Sequence, residues 1–359
     1  MYKILVINPG STSTKIALFD DETALFMETV RHSQDVISAF ENVQAQLDFR
    51  TAEVERALAE RGVAFESIDA YVGRGGGLLP VEGGIYFVDD FLVSHAAQGM
   101  SGQHPAQLAS QICKRYADKY KKPAFVVNPP DTDEFIPVSR VTGLRGVERE
   151  SHVHALNQKE IALRFCAERG LKYAESDLVI CHLGGGISVT AHRHGRMIDS
   201  NDVIGGSGPF SPNRAGDLPY VKVLDLAYSG EFTKRELIAR LNKDGGLADL
   251  VGTTDVRDLI ALADGGDDYA QLVFDAMVYN IAKHVGAMAV ALQGKVDAIL
   301  ITGGIANEMR VINKLTDYVA WIAEVAVMAG EFEQEALAAG ALRAMRGDEL
   351  AKRYTGTRR

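Results

Sequence analysis

The chain has 359 residues, of which 47% are hydrophobic and 24% are charged, a composition typical of an ordinary globular protein. Its 38 Lys and Arg residues against 48 Asp and Glu residues give a formal net charge of −10, which disfavours nucleic acid or an anionic membrane as a partner. A chain of this length exceeds the size at which one hydrophobic core usually stops growing, so we expect two domains with a cleft between them.

The first half of the chain alternates strands and helices. Two apolar runs flank the turn of ILVINPGSTSTKIALFD (4–20), and DDETALF leads into a third strand, which predicts a three-stranded meander. Helical spacing follows over 38–62 and again in HPAQLASQICKRYADKY (104–120). Between and after these helices, IDAYVGRGGGL (68–78) predicts a buried strand with a glycine loop, and PAFVVNPP (123–130) a short strand.

The second half repeats the order of the first. A helix over 147–170 precedes SDLVICHLGGGISVTAHRHGRMIDS (176–200), in which three strands are again joined by a glycine turn and a short turn. Asn8 aligns with His182, 174 residues later. A long buried helix (267–294), a strand with a glycine turn (295–311) and a final helix (332–347) follow. The pattern predicts a duplicated α/β protein whose halves face each other across a cleft.

Three strand ends carry glycine turns suited to phosphate, at Gly10–Lys15, Gly184–Gly186 and Gly303–Gly304. Glycine lets backbone N–H groups approach phosphate oxygens, and serine or lysine adds direct contacts. The spacing G-x-x-x-x-G-K-[ST] of a P-loop is absent, and GRGGGL lacks the helix and acidic partner of a dinucleotide site. A nucleotide would therefore bind between hairpins.

Five ordered segments resemble the acetate and butyrate kinase family, within the superfamily of acetate and sugar kinases, Hsp70 and actin: VINPGSTSTKIALFD, ICHLGGGISV, NRAGDLP, GGLADLVGTTDVRDL and ILITGGIANE. The resemblance implies a duplicated ribonuclease H-like fold of the actin/Hsp70 ATPase type, two lobes with a nucleotide cleft between them. Residues 1–149 plus 334–359 would form the N-terminal lobe and residues 150–333 the C-terminal lobe. Chain length, HALNQK (154–159) and ALAAGALR (336–343) are more similar to the butyrate kinase branch.

The same resemblance assigns site residues. It implies that Arg74 and Arg214 flank a transferring phosphoryl group, that His182 lies beside it, and that His104 lies near the acceptor. It further implies nucleotide contacts from the two phosphate hairpins and the adenosine segment: Asn8, Ser11, Ser13, Lys15, Gly184, Gly185, Gly186, Gly303, Gly304, Ile305 and Asn307.

ATP and Mg²⁺ are the cofactors that the resemblance implies, with Asn8 and Glu333 on the metal side and Glu331 as the alternative glutamate. The family usually has an aspartate where this chain has Asn128, and an amide binds Mg²⁺ more weakly than a carboxylate does. Either Asp131 or Asp133 substitutes, or the metal is held through water and ATP alone.

The acceptor chemistry distinguishes possible functions. A hydroxyl acceptor needs a general base, whereas a carboxylate is already ionised at neutral pH and needs a cationic pocket instead. We therefore expect ATP-dependent phosphorylation of a short-chain carboxylate, butyrate or a branched C4–C5 acid, to an acyl phosphate by direct in-line transfer. The alternatives are an acetate or propionate kinase and an actin- or Hsp70-like ATPase switch. The expected partners are a small carboxylate and a second copy of the chain, as a homodimer or an assembly of dimers.

Several residues have simpler interpretations. His192 and His194 are expected in a surface turn, and Asp217 either orients Arg214 or caps a turn. Three widely spaced cysteines without a C-x-x-C pair fit a reducing compartment, and no metal cage is indicated. No signal peptide or membrane span is evident, so we expect a cytoplasmic protein.

Overall fold

The structure, a computed structural model, describes residues 1–357 as two α/β units. The first unit contains Met1–Asp133 and the segment that begins at Phe332, and the second contains Glu134–Glu331. The second unit thus begins earlier than the lobe boundary expected after residue 149. The reason is that Ile136 N–H donates to the carbonyl of Ile198, which attaches this segment to the second sheet. Residues 358 and 359 of the expected N-terminal lobe lie outside the described residues.

The first unit is built on a six-stranded sheet of order β3-β2-β1-β4-β6-β5. Strands β1, β2 and β3 form an antiparallel meander, whereas β4 pairs parallel to β1 and β6 parallel to β4. The elements are β1 (Lys3–Pro9), β2 (Ser13–Asp20), β3 (Thr23–Arg31), α1 (Gln34–Ser38), α2 (Leu47–Ala59), β4 (Ala70–Gly73), β5 (Ile85–Phe87), α3 (Asp90–Gln98), α4 (Gln107–Tyr120), β6 (Ala124–Val127) and, from the C-terminal segment, α13 (Glu333–Arg346).

The second unit is built on a five-stranded sheet of order β11-β10-β7-β8-β9, again a meander extended by parallel strands. Its elements are α5 (Pro137–Arg140), α6 (Ala155–Glu168), β7 (Asp177–Leu183), β8 (Ile187–Arg193), β9 (Arg196–Ser200), α7 (Tyr220–Ala227), α8 (Lys234–Asn242), α9 (Leu247–Val251), α10 (Val256–Asp264), α11 (Asp268–Ala291), β10 (Ala298–Gly303), α12 (Met309–Val319) and β11 (Glu324–Ala329).

The two sheets share one topology, as the internal repeat in the sequence predicted. In each, the first strand lies between its antiparallel hairpin partner and a parallel strand, and a further parallel strand follows. Asn8 and His182 are both the sixth residue of a seven-residue first strand. Each therefore lies near the carboxyl end of its strand. The two parallel strands of the same sheet also end at this edge, which is where ligands of α/β proteins bind.

Helices cover both faces of the first sheet. Leu5 and Ile7 of β1 belong to the core formed with α2, α3 and α4, while Ile4 and Val6, on the opposite face, are also fully buried. Helix α13 packs against β1, β4 and β6. Such two-sided burial explains why the strands have nearly continuous apolar runs. In the second unit, the corresponding core is formed with α11, which packs against β7, β8 and β9.

Some predicted elements differ from the structure. The helix expected over 38–62 begins only at Leu47, after the short helix α1 and a 3₁₀ turn, and the helix expected from residue 147 begins at Ala155. The strands β5 and β11 are short or at a sheet edge and were not predicted. Within residues 1–357, no helix is both long and apolar enough to span a membrane.

Candidate active site

A cavity of about 260 Å³ lies in the first unit where β1, β4 and α13 meet. Its lining brings together residues that are far apart in sequence: Asn8, Pro9, Gly10, Ser13, Lys15, Arg74, His104, Ala106, Pro130 and Glu333. Six of these lining residues were predicted from the sequence to take part in catalysis, phosphate binding or metal binding. Ser11, which was also predicted, does not line the cavity; it lies exposed in the neighbouring turn.

Glu333, the first residue of α13, connects the cavity's cations. Its Oε2 accepts hydrogen bonds from Asn8 Nδ2 at 3.0 Å and Lys15 Nζ at 3.2 Å, and its Oε1 accepts one from Arg74 Nη1. Burial alone would raise the pKa of Glu333, but the charges of Arg74 and Lys15 outweigh burial and lower it to about 2. The carboxylate is therefore ionised throughout the physiological range. Glu331, the alternative from sequence, is exposed and belongs to the second unit.

We expect the ion pairs of Glu333 to make the protein acid-sensitive. Because the folded pKa of about 2 lies below the ordinary value of 4.5, Glu333 contributes stability above pH 4.5 that is lost as the pH falls towards 2. Urea unfolding of the wild type and of Glu333→Gln at pH 5.5 and at pH 3 measures this contribution. The difference in unfolding free energy between the two proteins should shrink at pH 3. Glu335→Gln is the matched control, and an unchanged difference for Glu333→Gln would contradict the expectation.

Arg74 follows β4 and opens the glycine loop 75–77. All three glycines have a positive φ, of 70°, 139° and 70°, a backbone that other residues rarely adopt. The side chain of Arg74 is 17% exposed, and only Nη1 of its guanidinium contacts Glu333. The Nε of Arg74 is buried without a hydrogen-bond partner among residues 1–357. Arg74 lines the cavity, and a guanidinium with an unpaired N–H is suited to an anionic oxygen.

His104 offers a second donor to the cavity. Its Nδ1 accepts a hydrogen bond of 3.1 Å from the N–H of Ala106, which leaves the proton of the neutral ring on Nε2. Desolvation, followed by the charges of Arg74 and Arg50, lowers the pKa of His104, so the ring is neutral at pH 7. His104 can therefore donate a hydrogen bond without adding a charge.

The donor set of this cavity fits a magnesium ion carried by a nucleotide. Glu333 supplies one ionised carboxylate and Asn8 an amide, and Mg²⁺ is commonly held by one or two carboxylates together with phosphates and water. No cluster of three His, Cys, Asp or Glu side chains suited to a metal occurs within residues 1–357. Asn128 does not line the cavity; at φ 40°, its Oδ1 accepts a hydrogen bond from Gly84 N–H. Asp131 accepts one from Ser101 Oγ.

In the second unit, His182 is held in one orientation by Asn157. The Nδ2 of Asn157 donates to the carbonyl of Glu331 at 2.6 Å, so its Oδ1 faces the His182 ring, 2.8 Å from Nδ1. An amide oxygen only accepts, and His182 Nδ1 therefore carries a proton. The Nε2 of His182 lies on the side of the glycine turn, where a Cβ on Gly184 would approach it to 3.2 Å.

A second histidine, His154, stacks on His182 with ring centroids 3.8 Å apart, and sequence reasoning missed it. Its Nδ1 contacts Ser188 Oγ at 2.8 Å, and Gln158 Nε2 donates to the same hydroxyl. The signal was present in HALNQK, where His154 is the N-cap residue of α6 and Gln158 follows one turn later, so that both reach Ser188. His192 also differs from expectation: it is fully buried and contacts Gln158 and Tyr173.

Arg214 lies against the glycine turn of the second unit. Its side chain is half-buried, and within residues 1–357 no carboxylate pairs with it. Burial lowers the pKa of Arg214 from 12.5, and the guanidinium remains charged at pH 7. A Cβ on Gly186 would lie 1.7 Å from Arg214 Nη1, so only glycine allows this approach. Ser211 Oγ fixes the turn by donating to the carbonyl of Gly185 at 2.6 Å.

We expect Gly186→Ala to inactivate the protein while Gly185→Ala has a much smaller effect. The new methyl group at 186 must displace Arg214, whereas at 185 it would meet nothing closer than Asn213, at 3.8 Å. The family resemblance implies that Arg214 flanks a transferring phosphoryl group, and loss of one contact to transition-state charge typically costs about 10²- to 10³-fold in turnover. Steady-state rates of the two variants, compared at equal folded fraction by circular dichroism, check the expectation. Equal losses in both variants would contradict it.

Asp217 does not orient Arg214. Its Oδ1 accepts a hydrogen bond from Gly208 N–H at 2.8 Å, and its Oδ2 lies 3.1 Å from His284 Nε2. Asp217 thus fixes the turn that follows β9 and contacts α11. The guanidinium of Arg214 remains available to an anion.

The third glycine turn lies at the end of β10. Gly303 has φ 90°, and a Cβ there would lie 2.3 Å from the carbonyl oxygen of Leu183. Gly304 and Asn307 are exposed, and Asn307 Nδ2 donates to the carbonyl of Gly304 at 2.9 Å. Ile305 is 9% exposed and packs in the core of the second unit. The exposed part of the predicted adenosine segment therefore consists of Gly304 and Asn307.

The chain is similar in sequence and in fold to known kinases. The sequence model of the Acetokinase family matches residues 146–338, more than half of the chain. An acetate kinase from Porphyromonas gingivalis superposes with a TM-score of 0.77 at 18% identity, over 96% of this chain and 100% of that one. A propionate kinase from Francisella tularensis subsp. tularensis SCHU S4 gives 0.71 at 19% identity, over 95% and 99%. An acetate kinase from Entamoeba histolytica gives 0.73 at 15%, over 93% and 97%. The predicted actin/Hsp70-type fold class is confirmed by these likenesses.

Proposed function

Because the chain belongs to the acetokinase family, we propose that it transfers the γ-phosphoryl group of ATP to a short-chain carboxylate, with butyrate or a branched C4–C5 acid as the preferred acceptor. The products are an acyl phosphate and ADP, and the reaction is reversible. The observation that carries the proposal is the pair of half-buried arginines, Arg74 and Arg214, each with guanidinium N–H groups left for an anion.

The acceptor would bind at Arg74. Its unpaired Nε and the Nε2–H of His104 are both donors, and the positive charge of Arg74 favours a carboxylate over a neutral hydroxyl. The cavity contains one carboxylate, Glu333, whose pKa of about 2 makes it too weak a base to deprotonate an alcohol. A carboxylate acceptor needs no such base, because it is ionised at neutral pH. Pro9, Ala106 and Pro130 give the same cavity an apolar side for the hydrocarbon chain.

The donor would be held by the two glycine turns. In the first unit, Asn8, Ser13 and Lys15 would bind phosphate oxygens; in the second unit, Arg214 and His182 would contact the phosphoryl group in transfer. Phosphoryl transfer spreads negative charge over three equatorial oxygens, so fixed cations contribute most of the catalysis. Glu333 and Asn8 are the residues that would hold Mg²⁺, and the ion would supply positive charge to neutralise the nucleotide's phosphates.

The choice of a four- or five-carbon acid rests on similarity of sequence segments. HALNQK covers the N-cap residue His154 and the start of α6, where His154 and Gln158 contact Ser188, and ALAAGALR forms the middle of α13. Both segments resemble the butyrate kinase branch. One methylene changes discrimination by only about 1 to 3 kcal/mol, so acetate and propionate would be turned over as weaker acceptors.

The proposal is tested with purified protein, Mg-ATP, hydroxylamine and a panel of linear and branched C2 to C6 acids. Hydroxylamine converts an acyl phosphate into a coloured hydroxamate complex with iron. We expect the highest kcat/KM for butyrate or a branched C4–C5 acid, and no hydroxamate in Arg74→Ala. A preference for acetate or propionate would contradict butyrate as the preferred acceptor and leave the proposed reaction unchanged. ATP hydrolysis that no acid stimulates would contradict the kinase and favour a nucleotide switch.

The assembly state is part of the proposal. We expect a homodimer or an assembly of dimers, as the resemblance implies, and light scattering coupled to size exclusion measures the mass directly. A mass of one chain, 38.9 kDa, at micromolar concentration would contradict it.

A further inference from the structure

A fully buried arginine, Arg50 of α2, lies beneath the turn of the first hairpin. Its Nη1 donates to the carbonyl of Ser13 at 2.8 Å and to Thr14 Oγ1 at 3.0 Å, and its Nη2 reaches the carbonyl of Ser11 at 3.5 Å. Its Nε and Nη2 also donate to Gln46 Oε1, at 3.0 and 2.9 Å. One guanidinium thus connects α2 to both sides of the turn.

Every partner of Arg50 is neutral. Within residues 1–357, no carboxylate forms an ion pair with it, and burial lowers its pKa to about 10, which leaves it charged at pH 7. The nearby His32 adds no second positive charge, because burial, followed by the charge of Arg50, lowers the pKa of His32. The Thr14 hydroxyl accepts from Arg50 and can donate to His32 Nε2, 2.9 Å away.

Arg50 shares the carbonyls of the turn with two backbone donors, the N–H groups of Gly10 and His32, and together these contacts set which way the peptide groups face. The carbonyls of Ser11 and Ser13 are directed to Arg50, and the carbonyl of Thr12 accepts from the N–H of His32 at 2.8 Å. With three successive carbonyls directed inward, the N–H groups of Ser11 and Thr12 have no hydrogen-bond partner in the part of the chain that the structure describes, and both residues are exposed. Successive free N–H groups of this kind form an anion-binding concavity.

A structural role alone does not explain the charge. Burying an unpaired cation costs several kcal/mol, and a neutral side chain can also donate hydrogen bonds to carbonyls. The charge is favourable if an anion binds above the turn, because the interior screens charges less than water does. Ser13, which Arg50 contacts, lines the cavity that also contains Lys15 and Arg74.

We propose that Arg50 is a positioning residue for the nucleotide's polyphosphate: it holds the carbonyls of Ser11 and Ser13 inward, so that the N–H groups of Ser11 and Thr12 meet the phosphates, and its buried charge is balanced by those phosphates. This inference rests on one part of the proposed function, namely that the protein binds ATP. It does not depend on which acid is phosphorylated, or on whether any acid is.

The test compares the binding of ATP, ADP and adenosine by calorimetry without any acid. In Arg50→Met we expect ATP affinity to fall by about 10- to 100-fold, as for a lost hydrogen-bonding contact to a charged group. Adenosine affinity should stay within about twofold, because adenosine carries no phosphate. Arg50→Lys keeps the charge but not the fork of donors, so its loss should be intermediate. In turnover assays, KM for ATP should rise with little change in KM for the acid.

Arg56→Met is the matched control, since Arg56 lies on the same helix, is exposed, and pairs with Glu53 and Glu60. It should bind all three ligands as the wild type does. If Arg50→Met fails to fold, Gln46→Met loosens Arg50 without touching the turn, and ATP affinity should then fall a few-fold with adenosine unchanged.

A folded Arg50 variant that binds ATP normally, or loses ATP and adenosine affinity equally, would overturn the proposal. Wild-type protein that binds ATP but phosphorylates no acid would overturn the carboxylate kinase and leave the role of Arg50 intact. Wild-type protein that binds no ATP would overturn both.

Discussion

Replacing Arg214 by alanine is expected to lower turnover by about 10³-fold or more, with a much smaller effect on the KM for either substrate. Arg214 is half-buried, carries no carboxylate partner within residues 1–357, and is held against Gly186. A cation in that environment is screened little by water and needs no reorganisation when charge develops on the phosphoryl group. Its contribution should therefore be largest in the transition state, which appears in kcat.

Two variants bracket this prediction. Arg214→Lys keeps the charge but loses the planar fork, so it should recover only part of the activity. Arg235→Ala removes an exposed arginine from α8 of the same unit and should behave as the wild type. If Arg214→Ala raises KM and leaves kcat unchanged, Arg214 binds a substrate in the ground state and does not stabilise the transfer.

Glu333→Gln should have the second large effect, a shift of the magnesium dependence to concentrations at least about tenfold higher, with turnover reduced even at saturation. Glu333 is the only carboxylate that lines the cavity within residues 1–357, and Lys15 and Arg74 both contact it. Glutamine keeps the size and the oxygen but loses the charge that Mg²⁺ prefers. Rates measured against free Mg²⁺ at saturating ATP give the shift.

Glu331→Gln is the matched control, because sequence alone left the two glutamates as alternatives. Because Glu331 is exposed, its replacement should change neither the magnesium concentration required nor the turnover at saturation by more than about twofold. A shift caused by Glu331→Gln and not by Glu333→Gln would reverse the assignment.

The sequence predicted those parts of the molecule that local patterns determine. Apolar runs and glycine turns defined both meanders, and the alignment of Asn8 with His182 anticipated equal positions at the ends of β1 and β7. Glu333 and Glu331 could not be separated by spacing. They are separated by where α13 begins, since the first residue of this helix points its carboxylate at Asn8 and Lys15.

Residues that act through packing between distant segments escaped prediction. Arg50 lies in an amphipathic helix where an arginine is normally exposed, and only the packing of α2 on β2 places it under the turn. His192 follows the glycine turn in a polar-looking stretch, yet the alternation of β8 directs it inward to Gln158. Such positions depend on tertiary contacts that no window of sequence contains.

The most direct test of the carboxylate kinase is to follow the acceptor oxygen with ³¹P NMR, using butyrate labelled with ¹⁸O in its carboxylate. In-line transfer to the carboxylate predicts an acyl phosphate whose phosphorus signal shows the isotope shift of one bonded ¹⁸O, formed in equal amount with ADP. Formation of ADP with unlabelled inorganic phosphate alone, at a rate independent of the acid, would contradict it.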